Sequence, residues 1–327
     1  MVGRRTQWGP VLGLLFVAPF VGEFLLGNLT ASELPIGLLL APMYGCGALL
    51  IREIGRRARG WPTIVLLAAA YALLEEGPVD QLLWNDSYAG QDLVHGPTFL
   101  PALGTSVALI QGVLSLHTIW SICVPIALVE AIAGERAKTV WLGRVGLVVT
   151  GVLFTAGCVL VFFGNYSEER FLASPWQLGT TVAVIVVLIV LALVGVPARI
   201  ESTPGGPPNP WWVGCAALAL STVVLVCPNW RGWVGATVWF VAVGVGVLLV
   251  LRWSRRRGWT PLHTAALAGG ATLTYVWLSF PTRPEGGGSV VVDLISNAVF
   301  GAVGCALVIL AVRRARRGES ASTLSRS

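Results

Sequence analysis

The chain has 327 residues, of which 55% are hydrophobic and only 12% charged, too little polar surface to solvate the outside of a globule that size. A soluble enzyme is thereby excluded, and lipid is the expected solvent. The formal charge of +6 is what basic loops against an anionic leaflet produce, so no nucleic-acid partner is implied.

Apolar runs of about 17 to 25 residues, each long enough for a hydrocarbon core of about 30 Å, recur along the chain. They fall at 10–27, 35–54, 61–84, 107–132, 145–163, 176–196, 211–226, 234–251, 264–280 and 290–312. The fold class expected is all-α, a polytopic membrane bundle of about ten transmembrane helices. Lys and Arg resist translocation, and their distribution sets the orientation. Arg4 and Arg5, Arg52 to Arg59, Arg136 to Arg144, Arg199, Arg252 to Arg257 and the tail from Arg313 to Arg326 alternate with loops holding only Arg170, Arg231 and Arg283. Ten crossings put both termini in the cytoplasm. A single Lys among 22 basic residues, with abundant Ala, Gly and Val, fits a GC-rich bacterial genome and hence a bacterial cytoplasmic membrane.

The first run carries Glu23 and lacks a small-x-small cleavage pattern, so an uncleaved helix is expected rather than a signal peptide. No loop exceeds about twenty residues, which leaves no room for a soluble catalytic domain. The longest outer loop, 85–106, holds Asp86, Asp92 and His95 and is placed to cap a site. Residues 1–134 form a candidate functional core and 135–200 the next two helices. A Pro/Gly-rich joint at 201–210 divides the chain, 211–313 is a packing half, and 314–327 is a basic tail expected to be disordered. Most of the fourteen Trp, Trp141 and Trp230 included, sit near predicted helix ends, as in an interfacial belt. The pairs Gly45 with Gly47, Gly244 with Gly246 and Gly301 with Gly304 are expected to bring helices close. All six cysteines lie in or beside apolar segments without metal-like spacing and read as small packing residues.

Helices one to four alone contain internal prolines, Pro19, Pro42, Pro78 and Pro125, each of which frees a carbonyl that lipid cannot satisfy. The deep ionisable residues fall in the same segments: Glu23, Glu75, Glu76 and His117, with Asp80 a turn nearer the outside. At 1.5 Å per residue, Glu23, Glu75 and His117 share a level about 10 Å from the outer face. Buried charge costs several kcal/mol unless paired or hydrated, so these residues point to a shared polar cavity or to a network that locks the helices together. Adjacent Glu75 and Glu76 repel, so one of the two is expected to exchange a proton. His117 and Ser121 are one turn apart. Asp293 and Asn297 are candidates to join from helix ten, whereas Glu53 and Glu130 read as solvated ion-pair partners. His263 lies at another depth, and neither a metal nor a cofactor is implied.

Glu75, Glu76 and His117 also carry a resemblance to the CPBP family of intramembrane proteases, whose motifs are EExxxR, FxxxH and HxxxN. The resemblance implies an activated water attacking a peptide bond within the membrane. Here Asp80 stands at the arginine position, Val113 at the phenylalanine position, and His263 is followed four residues later by Leu267. As a whole the chain resembles multi-pass membrane proteins common in actinomycetes, a likeness that implies no activity. Three functions stay open: an intramembrane acid–base enzyme on a peptide, isoprenoid or lipid substrate, a proton-coupled transporter, and a membrane protein without turnover.

Overall fold

The computed structural model describes residues 7–197, 201–229, 232–284 and 286–324. Arg4, Arg5, Arg199, Trp230, Arg231 and Arg326 lie outside them. Ten helical rods make up the described residues: α1 Trp8–Phe24, α2 Ala31–Arg57, α3 Trp61–Val79, α4 Val107–Lys138, α5 Arg144–Glu169, α6 Pro175–Gly195, α7 Pro210–Val226, α8 Trp233–Ser254, α9 Pro261–Leu278 and α10 Val290–Leu324. Seven of these are long and apolar enough to cross a membrane, and α1 and α7 are shorter apolar helices. Where the sequence predicts a disordered tail, α10 continues through the basic run to Leu324. Arg, Ala, Glu and Ser at 313–321 all tolerate helix, no proline interrupts the run, and the single Gly318 is carried within it.

The helix starts follow local rules. Proline occupies the first turn of α3, α6, α7 and α9, where its missing N–H costs nothing. Ser106 accepts from Leu109 N at 3.2 Å to open α4, and Ser174 with Gln177 forms a capping box for α6.

α4 is the hub. It touches α1, α2 and α3 on one side and α9 and α10 on the other, with α7 and α8 beyond. One core of α1 to α5 surrounds Tyr44, Tyr71 and Ile122, and a second, built from α1, α4, α9 and α10, surrounds Trp120 and Tyr275. The second core spans the 201–210 joint, so the chain is not divided there into separately packed halves. α5, α6 and α8 lie at the periphery, with only 11%, 11% and 17% of their apolar spans buried. Rods that are apolar all round yet mostly uncovered are what a lipid solvent requires.

Glycines set the closest contacts. A Cβ at Gly45 of α2 would lie 2.2 Å from the Leu15 carbonyl oxygen of α1, and one at Gly304 of α10 would lie 2.8 Å from Leu25. The Gly244 and Gly246 pair on peripheral α8 makes no such approach, because nothing packs closely on that stretch. Pro42 does not break α2. Instead α5 presents Gly157, where a Cβ would sit 2.6 Å from Met43 N, so a glycine lets the neighbouring helix close over the proline.

The Gly45 contact is with backbone, which cannot swing aside. Gly45→Ala is therefore expected to destabilise the detergent-solubilised protein by about 1–3 kcal/mol. Gly112→Ala, with nothing within 4 Å, is expected to cost nothing, both read from chemical unfolding curves.

Candidate functional site

Three of the central helices change pitch where the acids and the histidine sit. The turns Phe20–Phe24, Glu75–Val79 and Leu116–Cys123 are π-helical, with i to i+5 bonds such as Leu25 N to Phe20 O at 3.0 Å and Asp80 N to Glu75 O at 2.7 Å. Each contains a proline or has one within two residues, Pro78, Pro19 or Pro125, whose absent N–H removes one α-helical hydrogen bond there. A widened turn re-aims side chains, and such turns recur at functional sites.

The result is a buried carboxylate–imidazole–carboxylate unit. Nε2 of His117 lies 2.6 Å from Glu76 Oε1, and Nδ1 lies 2.8 Å from Glu75 Oε2 and 3.1 Å from Ser121 Oγ. Glu75, Glu76, His117 and Ser121 are all buried, at 3%, 5%, 8% and 1% exposure. Of the two Nδ1 contacts, that to Ser121 is the aligned hydrogen bond, while Glu75 Oε2 sits off the direction a bond needs. Oε2 of Glu76 makes no hydrogen bond among the described residues. Nε2 of His117 thus bonds a carboxylate and Nδ1 a hydroxyl, with the second carboxylate, Glu75, in close electrostatic contact on the Nδ1 side.

Glu23 belongs to the same neighbourhood by one remove. The Tyr44 hydroxyl of α2 donates to Glu23 Oε1, and the Tyr44 ring stands 6.2 Å from the His117 ring. Gly22 makes this possible, since a Cβ there would lie 3.0 Å from the Tyr44 ring and 3.1 Å from Ser121 Oγ. Tyr71, one turn before Glu75, completes the wall, its ring 6.3 Å from that of Tyr44. Asp80 turns away from the histidine. Asn165 of α5 donates to its Oδ1, and Tyr88 of the 85–106 loop donates to its Oδ2 at 3.2 Å. The 85–106 loop is further tied to α5 by Glu169, which accepts from Ala89 N at 2.9 Å and from Asn85 at 3.1 Å.

Asp293 and Asn297 do not join this cluster. Asn297 Nδ2 donates to Asp293 Oδ1 at 2.8 Å and to the Ser279 carbonyl at 2.9 Å, fastening α10 to the end of α9. Nor does His263, which bonds Thr260 Oγ1 at 2.8 Å and lies 3.1 Å from the Pro208 carbonyl, pinning the 201–210 joint. In the 85–106 loop, exposed Asp92 accepts from His95 N at 2.9 Å, which with the His95 ring at 3.0 Å holds its carboxyl below the ordinary carboxylate range. That contact is complete at neutral pH and is lost as acidification passes through the lowered value.

Glu53 and Glu130 are ion-paired as expected, but buried rather than solvated. Arg52 Nε lies 3.0 Å from Glu130 Oε1 and its NH1 2.5 Å from Glu53 Oε1, with both Arg52 and Glu53 fully buried. Arg56 pairs with Glu130, and Arg57 reaches Glu53 Oε2 at 2.5 Å. The guanidinium of Arg52 lies 3.6 Å over the ring of Trp141, which is 1% exposed and so not part of an interfacial belt.

The acidic cluster was legible in the sequence as Glu23, Glu75, Glu76 and His117, whereas Tyr44, Tyr71 and Asn165 were missed. Two tyrosines in the middle of apolar helices were the available signal, one of them four residues before Glu75. Among the described residues no group of three or more His, Cys, Asp and Glu side chains is arranged to hold a metal ion. Compared with protein-family models, curated proteins and solved structures, the chain finds no match.

Removing one partner of a buried pair leaves an uncompensated charge. Glu130→Gln, which strands Arg56 and leaves Arg52 to Glu53 alone, is expected to cost about 3–5 kcal/mol in chemical unfolding. Arg56→Gln leaves Arg52 on Glu130 and is expected to cost less.

Proposed function

We propose that this chain is a ten-span protein of a bacterial cytoplasmic membrane, with both termini in the cytoplasm, whose Glu75–His117–Glu76 unit is the acid–base centre of an intramembrane enzyme. The topology is supported by the 19 basic residues on one side against 3 on the other. The observation that carries the site is His117 held between two carboxylates, 2.6 Å and 2.8 Å away, in the centre of an apolar bundle.

That geometry supports the following roles. Both imidazole nitrogens are engaged, so His117 holds charge and proton within the unit, and the carboxyl oxygen that faces no partner, Glu76 Oε2, is the group that meets a reactant. A proton taken up there redistributes over three groups instead of leaving an isolated charge in lipid. Tyr44, Ser121 and Glu23 orient and extend the unit. The substrate is a hydrophobic one that reaches the site from the membrane, a peptide, an isoprenoid or a lipid, and the likeness of Glu75, Glu76 and His117 to the CPBP motifs adds weight to the peptide.

A second reading, a proton-coupled transporter, is favoured by the way ionisable groups continue past the unit. Asp80 reaches the outer loop through Tyr88, while the Arg52 cluster lies eight residues, or about 12 Å, further along α2 from Tyr44. Carboxylates and interrupted helices on one line suit that class as well.

Infrared difference spectra between pH 5 and pH 9 test the shared premise. Wild type is expected to show a carboxylic C=O band that exchanges its proton in this window and disappears in Glu75→Gln or Glu76→Gln; its absence sinks both readings. For the enzyme, Glu76→Gln is expected to lower turnover on a cleaved or modified substrate by about 10²–10⁴-fold with folding intact. Uptake into proteoliposomes that needs a pH gradient, without turnover, points to the transporter.

A further inference from the structure

The proton-handling unit leaves unused a groove on the other side of the molecule. It runs along the seam of α7, α9 and α10 with a volume of about 370 Å³, within the range of ligand pockets. Its walls are Leu218, Leu262, Leu273, Val308 and Val312, and its floor is narrowed by glycine. A Cβ at Gly270 would lie 2.3 Å from the Gly214 carbonyl oxygen, which is how α7 and α9 close beneath the groove. Polar lining is confined to one end, where Asn209 and Arg316 stand beside Trp211, which is 72% exposed.

Length and charge identify what fits. From Leu262 to Leu273 the groove follows eleven residues of α9, about 16 Å, which is the depth of one leaflet of a hydrocarbon core about 30 Å thick. Its polar end meets the two turns of α10 that carry Arg313, Arg314, Arg316 and Arg317. A lipid chain matches the walls, and the excess of arginines at the mouth favours a negatively charged headgroup over a neutral one. We infer that this groove is a binding site for one anionic phospholipid of the cytoplasmic leaflet, its acyl chain between α7, α9 and α10 and its phosphate at Arg316. The leaflet named rests on the topology proposed above.

The test is retention of lipid by the purified full chain, measured by native mass spectrometry after exchange into micelles doped with phosphatidylglycerol or phosphatidylcholine of the same acyl chains. One phosphatidylglycerol per chain is expected to be kept in preference to phosphatidylcholine. Arg316→Gln is expected to weaken retention by about fivefold, the effect of one basic side chain beside an anionic headgroup. Ala266→Phe, which fills the groove, is expected to abolish it, and Leu273→Trp at the deep end provides a second block should the first fail to fold. Equal retention of both lipids, or wild-type retention in the blocked variants, overturns the site. The leaflet is tested separately by labelling Gly318→Cys in whole cells with an impermeant maleimide. Labelling from outside overturns the leaflet and the proposed topology, while a headgroup preference that persists keeps the groove.

Discussion

The structure turns on how ionisable side chains are housed in a bundle whose surroundings offer them no water. Two solutions coexist in the same four helices. In one, Glu53 and Glu130 are each met by guanidinium groups, with Arg52 flat against Trp141, and the charges cancel within the protein. In the other, Glu75 and Glu76 share His117, and Glu23 and Asp80 have only hydroxyl and amide donors. The first arrangement is complete and holds helices together. The second sets four carboxyl groups against a single imidazole, with hydroxyl and amide donors in place of guanidinium groups.

Irregular turns in the central helices coincide with these acids, although peripheral α6 also widens at its end, Leu191–Gly195. α5 and α8 run as unbroken α-helices and present apolar surface all round. α1, α3 and α4 widen to π geometry beside their prolines, and the widened turns carry Glu23, Glu75, Glu76 and His117. Proline supplies the interruption, but packing decides whether a helix yields. Pro42 sits in α2 without consequence because Gly157 lets α5 close over it.

α4 links these features to the rest of the molecule. One face bears His117 and Ser121 toward α1 to α3, and Trp120 stacks on Tyr275 of α9 at 4.6 Å while donating to the Ala271 carbonyl at 2.8 Å. α9 is thus packed directly against the helix that holds the histidine. The joint at 201–210 separates segments in sequence only, and His263 pins it back to the bundle.

The sequence by itself determined the all-helical class, the apolar helices and the grouping of Glu75, Glu76 and His117, because these depend on local quantities: the length of an apolar run, the place of a proline, the spacing of each residue from the ends of its segment. Only the tertiary structure decided partners. Glu53 and Glu130 look like surface pairs along the chain, yet they are buried, because α2 and α4 cross there and Trp141 covers them. Asp293 and Asn297 carry the same residue types as a polar cavity, but α10 turns them to the end of α9. Tyr44 and Asn165 gain meaning solely from the acids they meet on other helices. Which side chains face each other across a bundle depends on the rotation of each rod about its axis, and a π turn changes that rotation without leaving a periodic trace in the sequence.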